Sequence, residues 1–145
     1  WGFCYFNNIA VAVSSLLDRK LISSALIVDF DLHFGDGTAN IFRRNEAVTF
    51  WHCRESSSML FLDALENDLA LYEADIVAVS AGFDRGVDDW GGMLSRKDYR
   101  RIGSLLAGFA RQKCGGRLFA TLEGGYNPQA LARNIEAFLQ GLEEA

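Results

Sequence analysis

Apolar residues recur along the chain in two alternating rhythms. Ile9, Val13, Leu16 and Leu17 fall at i, i+4, i+7 and i+8, which predicts a helix with one buried stripe; Asn7 or Asn8 can cap it. Residues 25–31 then form a short apolar run rich in branched side chains, the pattern of a strand covered on both faces. A glycine-punctuated loop over 32–38 and a short helix over 38–42 follow. Residues 47–52 read as a second strand, and Phe61, Leu65, Leu69 and Tyr72 mark a second long helix. A third buried strand spans 75–82 and ends in another Gly/Asp loop. Tyr99, Ile102, Leu105, Leu106 and Phe109 mark a helix that starts near Ser95 or Asp98. A fourth strand covers 117–123. Asn127 as cap and Pro128 in the first turn then open the last helix, with Leu131, Ile135, Phe138, Leu139 and Leu142 on its stripe.

Strands alternating with helices predict βαβ units, hence an α/β fold of three layers with a mostly parallel sheet between helices. Ligands of such sheets bind beyond the carboxyl ends of the strands. The Gly/Asp/His/Tyr loops all follow strands, so they are expected at that one edge.

Composition narrows the function classes. A chain of 145 residues fits one domain of the usual ~100–200. Its net charge of −5, with no Lys/Arg cluster, argues against a nucleic-acid partner. No apolar run approaches the ~18 residues of a membrane span, so no membrane partner is expected. The three cysteines are odd in number, far apart and without a CxxC, so a reducing, cytoplasmic compartment is the expectation. The opening Trp-Gly-Phe-Cys-Tyr-Phe-Asn-Asn has no Met and no basic leader, and reads as the middle of a domain.

Asp29, Asp31 and His33 are spaced by two, and on a strand that period puts them on one face. Buried carboxylates there need a partner or a metal. Imidazole with carboxylate suits zinc and related ions, but Asp-x-His alone is equally a hydrogen-bonded loop pair. Asp84 shifts the balance. It follows the third strand and is expected at the same edge, which makes three protein ligands with a position left open, as catalytic zinc requires. Near the fourth strand, Gly124 and Gly125 can let the backbone approach a ligand and aim Tyr126, whose phenol could donate to a developing oxyanion. The plainer alternative for Tyr126 is a packed surface side chain above a glycine turn.

Four motifs occur in order: Gly-Phe-Cys-Tyr-Phe-Asn-Asn at 2–8, Val-Asp-Phe-Asp-Leu-His-Phe-Gly-Asp-Gly at 28–37, Ser-Ala-Gly-Phe-Asp at 80–84 with Asp-Trp-Gly-Gly at 89–92, and Leu-Glu-Gly-Gly-Tyr-Asn at 122–127. Together they resemble the zinc-dependent histone deacetylase family, and most of all its small prokaryotic members akin to acetylpolyamine amidohydrolases. The resemblance implies the arginase–deacetylase fold and hydrolysis of an acetyl or similar acyl group from the amine nitrogen of a lysine, a polyamine or a small metabolite. It implies Asp31, His33 and Asp84 as ligands of Zn2+ and Tyr126 as the phenol that polarises the acyl oxygen. It places Gly2 and Phe3 along the substrate tunnel, and Asp89, Gly124 and Gly125 in support of the site. Asp29 and Asp36 match carboxylates that orient a tandem histidine pair. A monovalent cation, K+, near Asp29, Asp31 and His33 is a further implication.

The chain departs from that pattern in two places. The tandem histidines precede the Gly-Phe-Cys-Tyr motif, and this chain begins at that motif, with only His33 and His52. His33 is assigned to metal, and His52 reads as structural because its own strand offers no companion carboxylate. Residues 1–145 are therefore expected to be the C-terminal portion of one deacetylase catalytic domain, inactive or self-associating without the rest. The segment after His52 is also short and polar, with no evident aromatic wall for the tunnel. Two rival readings are a catalytically dead acyl-amine-binding module and an arginase-like ureohydrolase, the latter weakened by Gly at position 35 where a second metal wants Asp.

Overall fold

Alternate residues of the central strands bury against opposite helical layers. Leu26 and Val28 join Val77, Val79 and Ala81 on one side, while Ala25 and Ile27 join Ala78 on the other. That division is the period of two expected of a strand with both faces covered. The computed structural model describes residues 4–144.

In chain order the elements are α1 (Asn8–Asp18), β1 (Ala25–Asp29), α2 (Asp36–Phe42), β2 (Val48–His52), α3 (Ser58–Leu71), β3 (Val77–Ala81), α4 (Arg96–Lys113), β4 (Leu118–Leu122) and α5 (Pro128–Glu144). The four strands form one parallel sheet in the order β2-β1-β3-β4. Elements of α1 and α2 cover one face through Ile9, Val13 and Phe42. The other face is covered from α3, α4 and α5 through Phe61, Leu65, Tyr99, Ile102, Leu106 and Phe138. The three-layer α/β architecture expected from the sequence is thus present.

Caps fix where the helices begin. The Asn7 side chain accepts from Ala10 N at 2.9 Å. Ser95 and Asp98 form a reciprocal capping box on α4. The Asn127 side chain accepts from Gln129 N at 3.1 Å at the head of α5. Helices α4 and α5 touch backbone to backbone. A Cβ on Gly141 would stand 2.0 Å from Arg100 O, and one on Gly103 would stand 2.3 Å from Phe138 O.

Strand β1 stops at Asp29, two residues short of the apolar run. The Asp29 carboxylate accepts from Asp31 N at 3.0 Å, which turns the chain out of the sheet. The idea that Asp29, Asp31 and His33 share one strand face is corrected accordingly: Asp31 and His33 lie on the turn beyond the strand.

Candidate metal centre

That turn carries Asp31 and His33 to the carboxyl edge of the sheet, and the end of β3 brings Asp84 to meet them. One ligand atom from each of the three residues lies within 4.8 Å of the other two. His33 Nδ1 is 3.0 Å from Asp84 Oδ2 and 3.3 Å from Asp31 Oδ1. Backbone donors hold both carboxylates. Leu32 N donates to Asp84 Oδ1 at 2.9 Å, Gly124 N to Asp31 Oδ2 at 2.9 Å, and His33 N to Asp31 Oδ1 at 2.8 Å.

The donor set fits a divalent cation. Asp84 is 0% exposed, and its Oδ2 makes no hydrogen bond, meeting His33 Nδ1 only as a close polar contact. A buried carboxylate oxygen left this way is costly unless a cation or proton meets it. Burial pushes the Asp84 carboxyl above its ordinary value; the Leu32 N–H opposes this, the nearby Asp31 charge adds to it and His33 opposes it. Glycines make the space. A Cβ on Gly82 would fall 2.1 Å from Asp31 Oδ2, and one on Gly124 would fall 2.6 Å from the same oxygen and 2.7 Å from Asp84. Two carboxylates and one imidazole are hard and borderline ligands of the zinc class.

Tyr126 stands on the loop between β4 and α5. Asp89 organises that loop: its Oδ2 accepts from Tyr126 N and Asn127 N, each at 2.8 Å, and its Oδ1 accepts from Trp90 N at 2.8 Å. The Trp90 ring stacks on Tyr126 and meets His33 edge-on with centroids 6.0 Å apart. Burial holds the Tyr126 phenol above its ordinary value, with the charges of Asp84, Asp31 and Asp89 adding to the effect.

Comparison with known proteins gives the family. A model of the histone deacetylase domain matches residues 1–61 and 53–142. The chain belongs to the histone deacetylase family. It is 29% identical over 180 aligned positions to a probable deacetylase of Methanothermobacter thermautotrophicus, covering 98% of this chain and 53% of that protein. It is 28% identical to the polyamine deacetylase HDAC10 of Mus musculus, covering 97% of this chain and 27% of that one. Among solved structures, the histone deacetylase Clr3 superposes with a TM-score of 0.80 at 25% identity, over 94% of this chain and 30% of that one. The arginase–deacetylase fold is therefore the fold of this chain. The chain spans about half the length of the archaeal relative, or less of the others.

Histone deacetylase relatives also carry residues that this chain lacks, since an alignment of 180 positions exceeds its 145 residues. The two family matches meet at residues 53–61, just after His52. A cleft of about 370 Å³ opens there, lined by Leu32, Phe34, His52, Arg54 and Glu55. Phe34 contributes an aromatic ring to this cleft, with Arg54 Cζ 5.1 Å from its ring centroid.

Asp36 opens α2, half-buried, and lies outside the ligand trio. Asp29 is 3% exposed and also outside it. Burial pushes the Asp29 carboxyl up, and His52 opposes the shift. His52 pairs with Asp29 in the β1/β2 register, its Nδ1 3.8 Å from Asp29 Oδ1. The companion carboxylate of His52 thus sits on the neighbouring strand. Gly2 and Phe3 lie outside the described residues. The arginase-like and acyl-amine-binding alternatives are not favoured, because the relatives this chain matches are deacetylases. Sequence reasoning missed Arg85 and Trp90. Trp90 lies within the Asp-Trp-Gly-Gly motif at 89–92, but no local pattern assigns it to Tyr126. Arg85 follows Asp84 directly, and nothing in its neighbours marks it as buried.

Proposed function

We propose that the whole protein is a zinc-dependent hydrolase that removes an acetyl or similar acyl group from an amine nitrogen. The substrate class is an acetylated polyamine, an acetyl-lysine or a small acylated metabolite. The convergence of Asp31, His33 and Asp84, with one buried carboxylate oxygen making no hydrogen bond, carries this reading. Residues 1–145 are proposed as the C-terminal portion of a single catalytic domain.

In this reading Asp31, His33 and Asp84 hold the ion. Zinc there would polarise an acyl carbonyl and lower the pKa of a bound water. Tyr126 donates its O–H to the acyl oxygen as charge develops, and the Asp89 contacts and the Trp90 stack hold the ring for that task. Hydrolysis also needs a base for the water proton and an acid for the leaving amine. His52 is a poor candidate, because its side chain is 3% exposed and sits between Asp29 and Arg85. We infer that the base comes from another segment of the whole protein. Among the described residues no helix is long and apolar enough to cross a membrane. The free cysteines accord with the cytoplasmic location we propose.

Metal analysis with an acetyl-amine assay tests this reading. The whole protein is expected to hold one zinc-class ion and to lose both ion and turnover on Asp84→Ala. Equal, stoichiometric zinc in both proteins would remove the ligand assignment, and zinc loading without any acyl-amine hydrolysis would remove the activity.

A further inference from the structure

We propose that Arg85 is a positioning residue for the metal loop, its guanidinium serving as a built-in cation in a nest of backbone carbonyls. The residue is 4% exposed. Nε donates to Phe30 O at 3.1 Å and to Asp31 O at 3.0 Å. Nη2 donates to Cys53 O at 2.7 Å and lies 3.4 Å from His52 Nε2. The guanidinium carbon sits 5.4 Å from the Phe61 ring centroid.

A buried arginine ordinarily takes a carboxylate partner. None of the ion pairs among the described residues involves Arg85. Carbonyl oxygens from the ends of two adjacent strands take that place: Phe30 and Asp31 follow β1, and Cys53 follows β2. Carbonyls gathered round one positive centre are also what an alkali cation uses when it sheds water. The chain therefore carries on Arg85 the charge that a free K+ would otherwise bring to the region of Asp29, Asp31 and His33.

Asp31 is pinned from both sides as a result. Arg85 holds its main-chain carbonyl, while Gly124 N and His33 N hold its carboxylate. Arg85 also sits on the Nε2 side of His52. A guanidinium can only donate, so that contact leaves the ring hydrogen on Nδ1, facing Asp29. The clamp does not depend on what Asp31 binds; only its bearing on metal uptake rests on the deacetylase reading.

The test compares melting of the full chain in KCl and in tetramethylammonium chloride at equal ionic strength, with a divalent-metal chelator present. The wild type is expected to melt alike in both salts. Arg85→Ala and Arg85→Gln are expected to melt several degrees lower in tetramethylammonium and to regain at least half of that loss in KCl. Their zinc uptake, measured separately without chelator, is expected to improve with KCl in step. Saturable stabilisation of the wild type by K+ would overturn the proposal, since the nest would then be open to a free ion. Variants as stable as wild type, or variants that stay unfolded in KCl, would overturn it as well. Because the melts are run without bound zinc, they stand whether or not the zinc reading holds.

Discussion

Trp90 lies flat on Tyr126, with ring centroids 4.0 Å apart and planes 18° apart. Aromatic pairs contribute ~0.5–1.5 kcal/mol beyond their buried area. The stack leaves the phenol 39% exposed at its residue while restricting where the ring can swing. In the whole enzyme, Tyr126→Phe is expected to keep the stack and the zinc but lower kcat by about 10²–10³, the usual loss of an oxyanion donor. Near-normal kcat on an acetyl-amine substrate would reduce Tyr126 to a packing residue.

Asp89 acts on the same loop through its backbone. One oxygen takes two N–H groups, from Tyr126 and Asn127, at the head of α5, where a negative charge is also favoured by the helix dipole. Hydrogen bonds to a charged group are worth ~1.5–3 kcal/mol each. Asp89→Ala is expected to lower kcat about ten- to hundredfold, as each ~1.4 kcal/mol of lost positioning is tenfold in rate. Zinc content should stay at wild-type level, because Asp89 is outside the ligand trio. Loss of zinc together with rate would show that the loop supports the ligands rather than the phenol.

Gly124 lets the backbone pass beside both carboxylates. The methyl group of Gly124→Ala would enter within 2.6 Å of Asp31 Oδ2 and 2.7 Å of Asp84. This variant is expected to lose most of its zinc while remaining folded by circular dichroism. Gly108→Ala is the control, since nothing lies within 4 Å of its added carbon on α4. There the expected effect is a gain of ~0.5–1 kcal/mol in stability, with zinc unchanged. Full zinc in Gly124→Ala would mean that the carboxylates have room to spare.

How far the sequence announces these features depends on their range. β1 and β3 were legible because every residue in each is buried, which a continuous apolar run reflects directly. The convergence of Asp31, His33 and Asp84 was legible in part, because all three follow strands and a parallel sheet gathers strand ends at one edge. The early end of β1 was not, because it depends on one side-chain bond from Asp31 N to Asp29. Nor was the partnership of His52 with Asp29, which exists only through the register of two strands. Arg85 illustrates the same limit. Its three carbonyl partners lie 32 to 55 residues away, and carbonyls leave no trace in residue identity.

The last prediction concerns residues 1–145 produced alone: they are expected to self-associate and not to deacetylate. The sheet ends in β4 on one side, and β4 is only partly covered, with Leu122 66% exposed. Its Leu-Phe-Ala-Thr-Leu sequence has no Lys or Pro to guard the free edge. Unguarded edges of this kind add strands from other chains. The archaeal relative is about twice as long as the part matched here, so it holds further chain that could cover such an edge. Catalysis has its own gap, since among the described residues the one imidazole outside the ligand trio is His52, which is buried between Asp29 and Arg85. Size exclusion and an acetyl-lysine or acetylpolyamine assay, run beside the longest natural form of the protein, provide the check. Oligomers without turnover are expected from residues 1–145, and zinc-dependent turnover from the longer form. A monodisperse monomer with zinc-dependent activity would overturn the partial-domain reading and make His52, paired with Asp29, the base to mutate first.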